Sequence, residues 1–283
     1  VLPPRPPEVG RLRHFVNKKI RDPLPVLPFE EQVDRFLQRD ALRADTVVED
    51  REVARFLAAH GPVPPAHVVT IVATFKRREL VARAVRSALA QTGIEDQRII
   101  VIDDGAGEID LIPSDPRVTV ISLEANTHNA GLVRNVGLRV SSSPFIAFLD
   151  DDNQWDPTHL SECLAALDAG AELVYTGVLV VDEDDVQIDE WSDPWNSYRM
   201  RVTNYIDLNA IAARRNGAAG KACGPDGLLL SRLRRRPRSP RYEDWELVWR
   251  VSRRGKIVHL PESTVRYRLS VASNFRGAVR LGG

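Results

Sequence analysis

From residue 67 onward, apolar and polar positions alternate between strand-like and helix-like patterns. Val68-Val69-Thr70-Ile71-Val72-Ala73 is a short β-branched run that predicts a buried strand. Over 77–91, Leu80, Val81, Ala84, Val85, Ala88 and Leu89 recur at helical spacing and predict an amphipathic helix. A second strand is predicted over 98–102 and ends at Asp103-Asp104-Gly105. A third follows over 118–123, then a short helix over 131–140. Phe145-Ile146-Ala147-Phe148-Leu149 predicts a fourth strand, running straight into Asp150-Asp151-Asp152, and is followed by a helix over 156–168 and a strand over 172–181. Such alternation implies crossover connections, hence an α/β fold with a mostly parallel sheet and helices on both faces. Ligands of such sheets sit outside the carboxyl ends of the strands, where both acidic clusters fall.

The first 66 residues differ. Ten of the nineteen prolines lie before residue 66, ending in Pro62-Val63-Pro64-Pro65, a stiff connector. Phe29, Val33, Phe36 and Leu37, and then Val53, Phe56 and Leu57, have helical spacing. Residues 1–66 therefore read as a proline-rich extension with two short amphipathic helices, and 67–283 as the main domain. Two readings of the extension stand: it packs on the main domain, or it is an arm for a partner, including a homodimer.

Composition narrows the function classes. The chain has 283 residues, 43% hydrophobic and 28% charged, which suits a folded globular protein. Basic and acidic residues both number 39, which argues against a nucleic-acid binder of the usual basic kind. No apolar run approaches the ~18 residues of a spanning helix. The segment VLPPRPPEVG lacks the apolar core of a secretory signal, and Cys163 and Cys223 form no metal-ligand spacing, so a reduced, cytoplasmic chain is expected. All but five basic residues are arginine, a bias that fits a GC-rich bacterial genome and lowers the weight of any arginine cluster as a signal.

Three clusters carry candidate chemistry. Asp150-Asp151-Asp152 follows a wholly apolar strand. Gathered carboxylates are costly to bury unless paired, and oxygen ligands at a strand end suit Mg²⁺ or Mn²⁺ bridging to phosphates. A solvated acidic turn ahead of the helix near Asp156 is the other reading. Asp103-Asp104 either meets a base or ribose or forms an ordinary Asp-Gly turn. Arg241-Tyr242-Glu243-Asp244-Trp245-Glu246-Leu247 opens a helix. Its acids either complement the helix dipole, or Asp244 points into the cleft as a general base.

Together these clusters resemble the inverting nucleotide-sugar glycosyltransferases of the GT-A fold, the large family two. Val69 to Arg77 is similar to that family's first strand and nucleotide turn, and Ile102-Asp103-Asp104-Gly105-Ala106 to its "VDDGS" stretch. Asn129-Ala130-Gly131 with Val133-Arg134-Asn135-Val136-Gly137 resembles its Gly-loop and "ARNxG" helix. Phe148 to Asp152 resembles its DxD metal site, and Glu243 to Leu247 its "EDxxL" motif. Tyr267-Arg268 and Ser273 resemble its closing "YRxHxxS". The resemblance covers roughly 68–274, with the motifs in order.

The resemblance implies a nucleotide-diphosphate sugar donor, UDP-, GDP- or dTDP-linked, and a small-molecule or protein acceptor. Thr74, Phe75 and Arg77 would line the base and ribose site, and Asp103 would hydrogen-bond the base. Arg134 would approach the base or diphosphate. Asp150 and Asp151 would face the donor nucleotide, with Asp151 on the ribose, and Asp152 would ligate Mn²⁺ or Mg²⁺. Glu243 and Asp244 would form the catalytic pair, with Asp244 as the base. Asn209 resembles a position facing the donor sugar. Alternatives are a retaining enzyme of the same fold and a catalytically degenerate nucleotide-sugar-binding protein. A sugar nucleotidyltransferase is disfavoured because Thr74 to Glu79 lacks a glycine-rich phosphate loop.

Three departures stand out. Ser270 replaces the family's histidine, and His259 reads as structural. Residues 214–241 carry four glycines and then six arginines between 232 and 241, either a loop closing over the donor or a solvated basic loop. Residues 1–66 have no counterpart. Trp191 and Trp195 stack on an acceptor or pack under a loop, and Asp182 to Asp185 read as a surface hairpin turn.

Overall fold

The computed structural model describes residues 38–217, 227–230 and 243–269. The predicted helix over 29–37, Cys223, the 232–241 arginines, Arg241, Tyr242, Ser270 and Ser273 lie outside them.

The described chain begins with α1 (Arg39–His60) and then alternates: β1 (Val68–Thr74), α2 (Arg78–Leu89), β2 (Gln97–Asp103), β3 (Val118–Ser122), α3 (Ala130–Arg139), β4 (Phe145–Asp150), β5 (Gln154–Trp155), α4 (His159–Asp168) and β6 (Leu173–Val181). β7 (Gln187–Trp191), α5 (Ser197–Val202), a 3₁₀ turn (Leu208–Ala210), β8 (Ile211–Arg214), α6 (Glu243–Ser252) and β9 (Ile257–Arg268) follow. Among the described residues one sheet has the order β3-β2-β1-β4-β8-β6-β9-β5, with β7 paired to β6. β3, β2, β1 and β4 are mutually parallel, β8 is antiparallel to β4 and β6, and β6 is parallel to β9. The mixed α/β architecture expected from the alternation is present.

The central strands form because nearly every position is apolar and buried. Val68, Val69, Ile71, Val72, Ile99 to Ile102 and Ile146 to Leu149 are all fully inside. Each Val, Ile, Leu or Phe among them stabilises the fold by about 1.5–3 kcal/mol. The crossovers β1–α2–β2 and β3–α3–β4 run in opposite directions along the sheet. The right-handed rule therefore sets α2 and α3 on opposite faces. Gly137 lets α3 press onto the sheet: a Cβ there would lie 2.7 Å from Ile102 Cδ1 and 3.2 Å from Ile71 Cδ1.

Register fixes the site. Thr74 pairs with Asp103, and Ala73 with Asp150, so β1, β2 and β4 end at one level. The strand order reverses direction at β1, which neighbours both β2 and β4, and the crevice above such a switch point is where α/β sheets bind ligands.

α1 is one helix of 22 residues, Arg39–His60, and contains the expected helical positions Val53, Phe56 and Leu57. Val53 and Phe56 join the main hydrophobic core. Its buried face also holds Glu49, which accepts from Asn135 Nδ2 (3.2 Å) and pairs with Arg139 (3.1 Å). Glu52 pairs with Arg55 at 2.6 Å, and Asp45 accepts from Asn129 Nδ2 at 2.9 Å. Through Asp45 and Glu49, α1 packs on α3. No helix among the described residues is long and apolar enough to cross a membrane.

Candidate active site

The acidic end of β4 is held from three sides. Asp151 accepts from Thr74 Oγ1 at 2.8 Å and pairs with Arg77 Nη1 at 2.9 Å. The same nitrogen reaches Asp152 Oδ2 at 2.7 Å. Asp150 pairs with Arg134 Nη2 at 2.6 Å, accepts from Asn209 Nδ2 at 3.1 Å, and donates its own N–H to Asn209 Oδ1 at 2.5 Å. β8 dictates that last contact. Ala147 faces Ala212 in an antiparallel pair, and continuing the register by three residues sets Asn209 opposite Asp150.

Arg134 is 8% exposed and links the two halves of the site. Its second nitrogen, Nη1, meets Glu243 Oε1 at 2.5 Å in the first turn of α6. Burial alone pushes the Arg134 guanidinium down, but Asp150 and Glu243 more than reverse that and hold it above its ordinary value. The β4 acids and the Glu243-Asp244 pair, about ninety residues apart in the chain, thus stand on either side of one guanidinium.

The carboxylates are short of positive charge. Burial, and then the charges of Asp150 and Asp151, push the Asp152 carboxyl up to about 6 despite Arg77. Burial also raises Asp151, against the pull of Arg77 and Thr74. Asp207, in the loop before the 3₁₀ turn, rises to about 6 through burial and the charge of Asp150. Asp244 rises through burial, then Glu243, then Asp207. Asp244 accepts from Asn204 Nδ2 at 2.9 Å and from its neighbour's N–H, that of Trp245, at 2.6 Å.

At the end of β2, Asp103 is buried, and its two oxygens accept the N–H groups of Ala106 (3.0 Å) and Gly107 (2.8 Å). Both bonds lie within the turn that follows β2. Gly105 sits at φ +77°, where a Cβ would lie 2.6 Å from the Ala125 carbonyl carbon, so only glycine fits. Asp104 accepts from Thr127 N–H at 2.8 Å. Beside this turn Phe75 is 36% exposed, with Lys76 Nζ lying over its ring at 5.1 Å from the centre.

The donor set suits a hard cation in one respect. Among the described residues no three of His, Cys, Asp and Glu form a ready cage. Mg²⁺ is commonly held through one or two carboxylates plus substrate phosphates rather than by an all-protein cage. Asp152, an oxygen donor in a cluster with surplus negative charge, fits that pattern.

The structure gives other motif residues different work. Arg268 donates its backbone N–H to Asn153 Oδ1 at 3.0 Å, tying β9 to the β4 turn, while its side chain pairs with Asp185 and donates to Glu183 O. Asp182 Oδ1 caps the β6–β7 hairpin by accepting from Asp184 and Val186 N–H, as expected of a surface turn. His259 stacks on Tyr175 with ring centres 4.7 Å apart and touches Ser192 Oγ at 3.1 Å, a packed position. Trp191 packs on Tyr267 at 5.3 Å. Sequence reading did not single out Asn204 or Asp207. Neither lies in a motif of chemical spacing, and only the fold brings them to Asp244.

Comparison with known proteins decides the family. Residues 69–216, more than half of the chain, match Glycosyl transferase family 2. The chain belongs to that family. The succinoglycan biosynthesis protein ExoO of Rhizobium meliloti is 33% identical over 132 residues, 43% of this chain and 37% of ExoO. The putative colanic acid biosynthesis glycosyl transferase WcaA of Escherichia coli is 32% identical over 98 residues, 32% of this chain and 34% of WcaA. The chain thus spans little more than a third of either relative. Among solved structures, S. aureus TarS 1–349 superposes with a TM-score of 0.54 at 15% identity, over 71% of this chain and 60% of that one. The mannosyltransferase PcManGT of Pyrobaculum calidifontis, solved with GDP-Man and Mn²⁺, gives 0.51 at 13% identity over 85% and 69%. The fold of this family 2 member is the GT-A fold.

Proposed function

We propose that this family 2 chain transfers a sugar from a nucleoside-diphosphate donor to an acceptor hydroxyl, with inversion and with Asp244 as base. The observation that carries the reading is Arg134, which spans Asp150 and Glu243 and so sets a strand-end acid cluster against the acids opening α6. Solved neighbours point to the donor class: TarS was crystallised with UDP and with UDP-GlcNAc, and PcManGT with GDP-Man and Mn²⁺.

In this reading Phe75 offers its ring to the base, and Asp103 holds the nucleotide turn in shape from below. Thr74 and Arg77 orient Asp151 for the ribose. Asp152 would hold Mg²⁺ or Mn²⁺, which when bound neutralises charge on the departing diphosphate. Arg134 keeps Asp150 and Glu243 in place beside the reacting centre. Asp244 takes the proton of the acceptor hydroxyl as its oxygen bonds to the anomeric carbon, and the electron pair of the broken C–O bond leaves with the diphosphate. Its raised pKa suits it to that proton transfer. Positioning supplies much of the acceleration.

The test is a panel of UDP-, GDP- and dTDP-sugars with Mn²⁺ and small-molecule acceptors, followed by NMR. One donor class should release nucleoside diphosphate, and the first-formed product should have the opposite anomeric configuration. Retained configuration would exclude Asp244 as an inverting base. Tight nucleotide binding without turnover on any acceptor would favour the degenerate binder.

A further inference from the structure

Residues 203–210, between α5 and β8, carry an asparagine toward each half of the site. At one end Asn209 is wholly buried and fastened to Asp150 by two hydrogen bonds, with its Nδ2 also donating to Asp207 Oδ1 at 2.7 Å. Its backbone oxygen accepts from Trp155 Nε1 at 2.8 Å, so this end is rigid. At the other end Asn204 Nδ2 donates to Asp244 Oδ2 at 2.9 Å, while Asn204 Oδ1 accepts from Ile206 N–H at 3.4 Å. The segment is a short strut between β4 and α6, parallel in effect to the Arg134 bridge.

We infer that Asn204 is a positioning residue: it fixes the rotation of the Asp244 carboxylate and its distance from the β4 acids. The inference rests on the reading of Asp244 as base. Three observations support it. Trp245 N–H holds only Oδ1, and that contact moves with the helix itself. Among the described residues, Asn204 supplies the hydrogen bond to Asp244 from outside α6, and its loop connects to β4 through Asn209. The charges facing Asp244 are Glu243 on its own helix and Asp207 on the strut, both negative, while Arg134 of α3 is engaged by Glu243 and Asp150. Among the described residues Asp244 has no ion pair, so a neutral amide donor orients its carboxylate and favours the ionised form.

Asn204→Ala and the isosteric Asn204→Asp test this. Both remove the amide donor, and the second adds a like charge. In each, kcat should fall about ten- to a hundredfold, the effect of a small misplacement of a reacting group. The KM for donor and calorimetric nucleotide affinity should stay within about threefold. Asn204 stabilises the charged carboxylate, so its loss should move the acidic limb of the kcat profile to higher pH, further in Asn204→Asp than in Asn204→Ala. An unmoved limb, or a loss confined to donor affinity, would overturn the inference while leaving Asp244 as base. Full activity in Asp244→Asn would instead remove the reading beneath it.

Discussion

Replacing Asp244 by Asn is expected to lower kcat by roughly 10²–10⁴-fold, the usual worth of a positioned general base. Nucleotide affinity and melting temperature should change little. The new amide is isosteric and keeps an oxygen to accept from Trp245 N–H or Asn204. It also removes a carboxyl that burial, Glu243 and Asp207 make hard to ionise. On the proposed role of Asp244, those same effects set the sign of the pH dependence. A carboxylate accepts a proton only when ionised, and the Asp244 carboxyl is raised above the ordinary range, so the proposal predicts that kcat rises with pH through that raised value. The Asn variant should lose that limb along with its turnover. Steady-state rates across pH, with calorimetry of nucleotide binding, check both halves. An Asp244→Asn protein as fast as wild type would leave the proton acceptor unassigned.

Arg134→Met should give the largest loss of stability. Arg134 is nearly buried and makes two charged contacts, to Asp150 at 2.6 Å and Glu243 at 2.5 Å. Removing one partner from a buried ion pair costs about 3–5 kcal/mol, because the stranded charge stays desolvated. Here two carboxylates are stranded beside Asp207 and Asp244. A melting temperature lower by on the order of 10 °C is expected for a chain of this size. Arg134→Lys should recover little, since a single ammonium lacks the fork that reaches two carboxylates. A change under about 2 °C in Arg134→Met would show that the pairs contribute nothing net.

Much of this fold was legible because its central strands are buried on both faces. β1, β2 and β4 stand out as β-branched and aromatic runs, and the acidic ends of β2 and β4 follow directly. The first half of α1 was illegible to hydrophobic periodicity because Asp45, Glu49 and Glu52 occupy its inner face. A helix that buries acidic side chains against Asn129, Asn135 and Arg139 has no apolar stripe to read. β7 is short and mostly polar, and β9 contains Pro261 and pairs with β6 through register shifts, so neither shows clean alternation.

The site divides along the same line. Asp150 to Asp152 and Glu243-Asp244 were visible as clusters at element boundaries. The sharing of Arg134 between them was not, because α3 reaches both only in three dimensions. Asp103 illustrates the ambiguity of an Asp-Gly turn: the same residue type suits a base contact or a backbone cap, and the buried geometry gives it Ala106 and Gly107. Asn204 and Asp207 carried no sequence signal. Their chemistry comes from a loop lying between β4 and α6.

In the proposed function the acids ending β4 hold a cation that steadies a diphosphate. The most direct measurement is titration calorimetry of UDP and GDP, with Mn²⁺ or with a chelator, on the native chain and on Asp152→Asn. One nucleotide is expected to bind at least tenfold more tightly to the native chain with Mn²⁺ than with chelator, a difference of about 1.4 kcal/mol, and Asp152→Asn to lose most of this gain. Equal affinities with and without the ion, together with undiminished sugar transfer by Asp152→Asn in chelator, would contradict it.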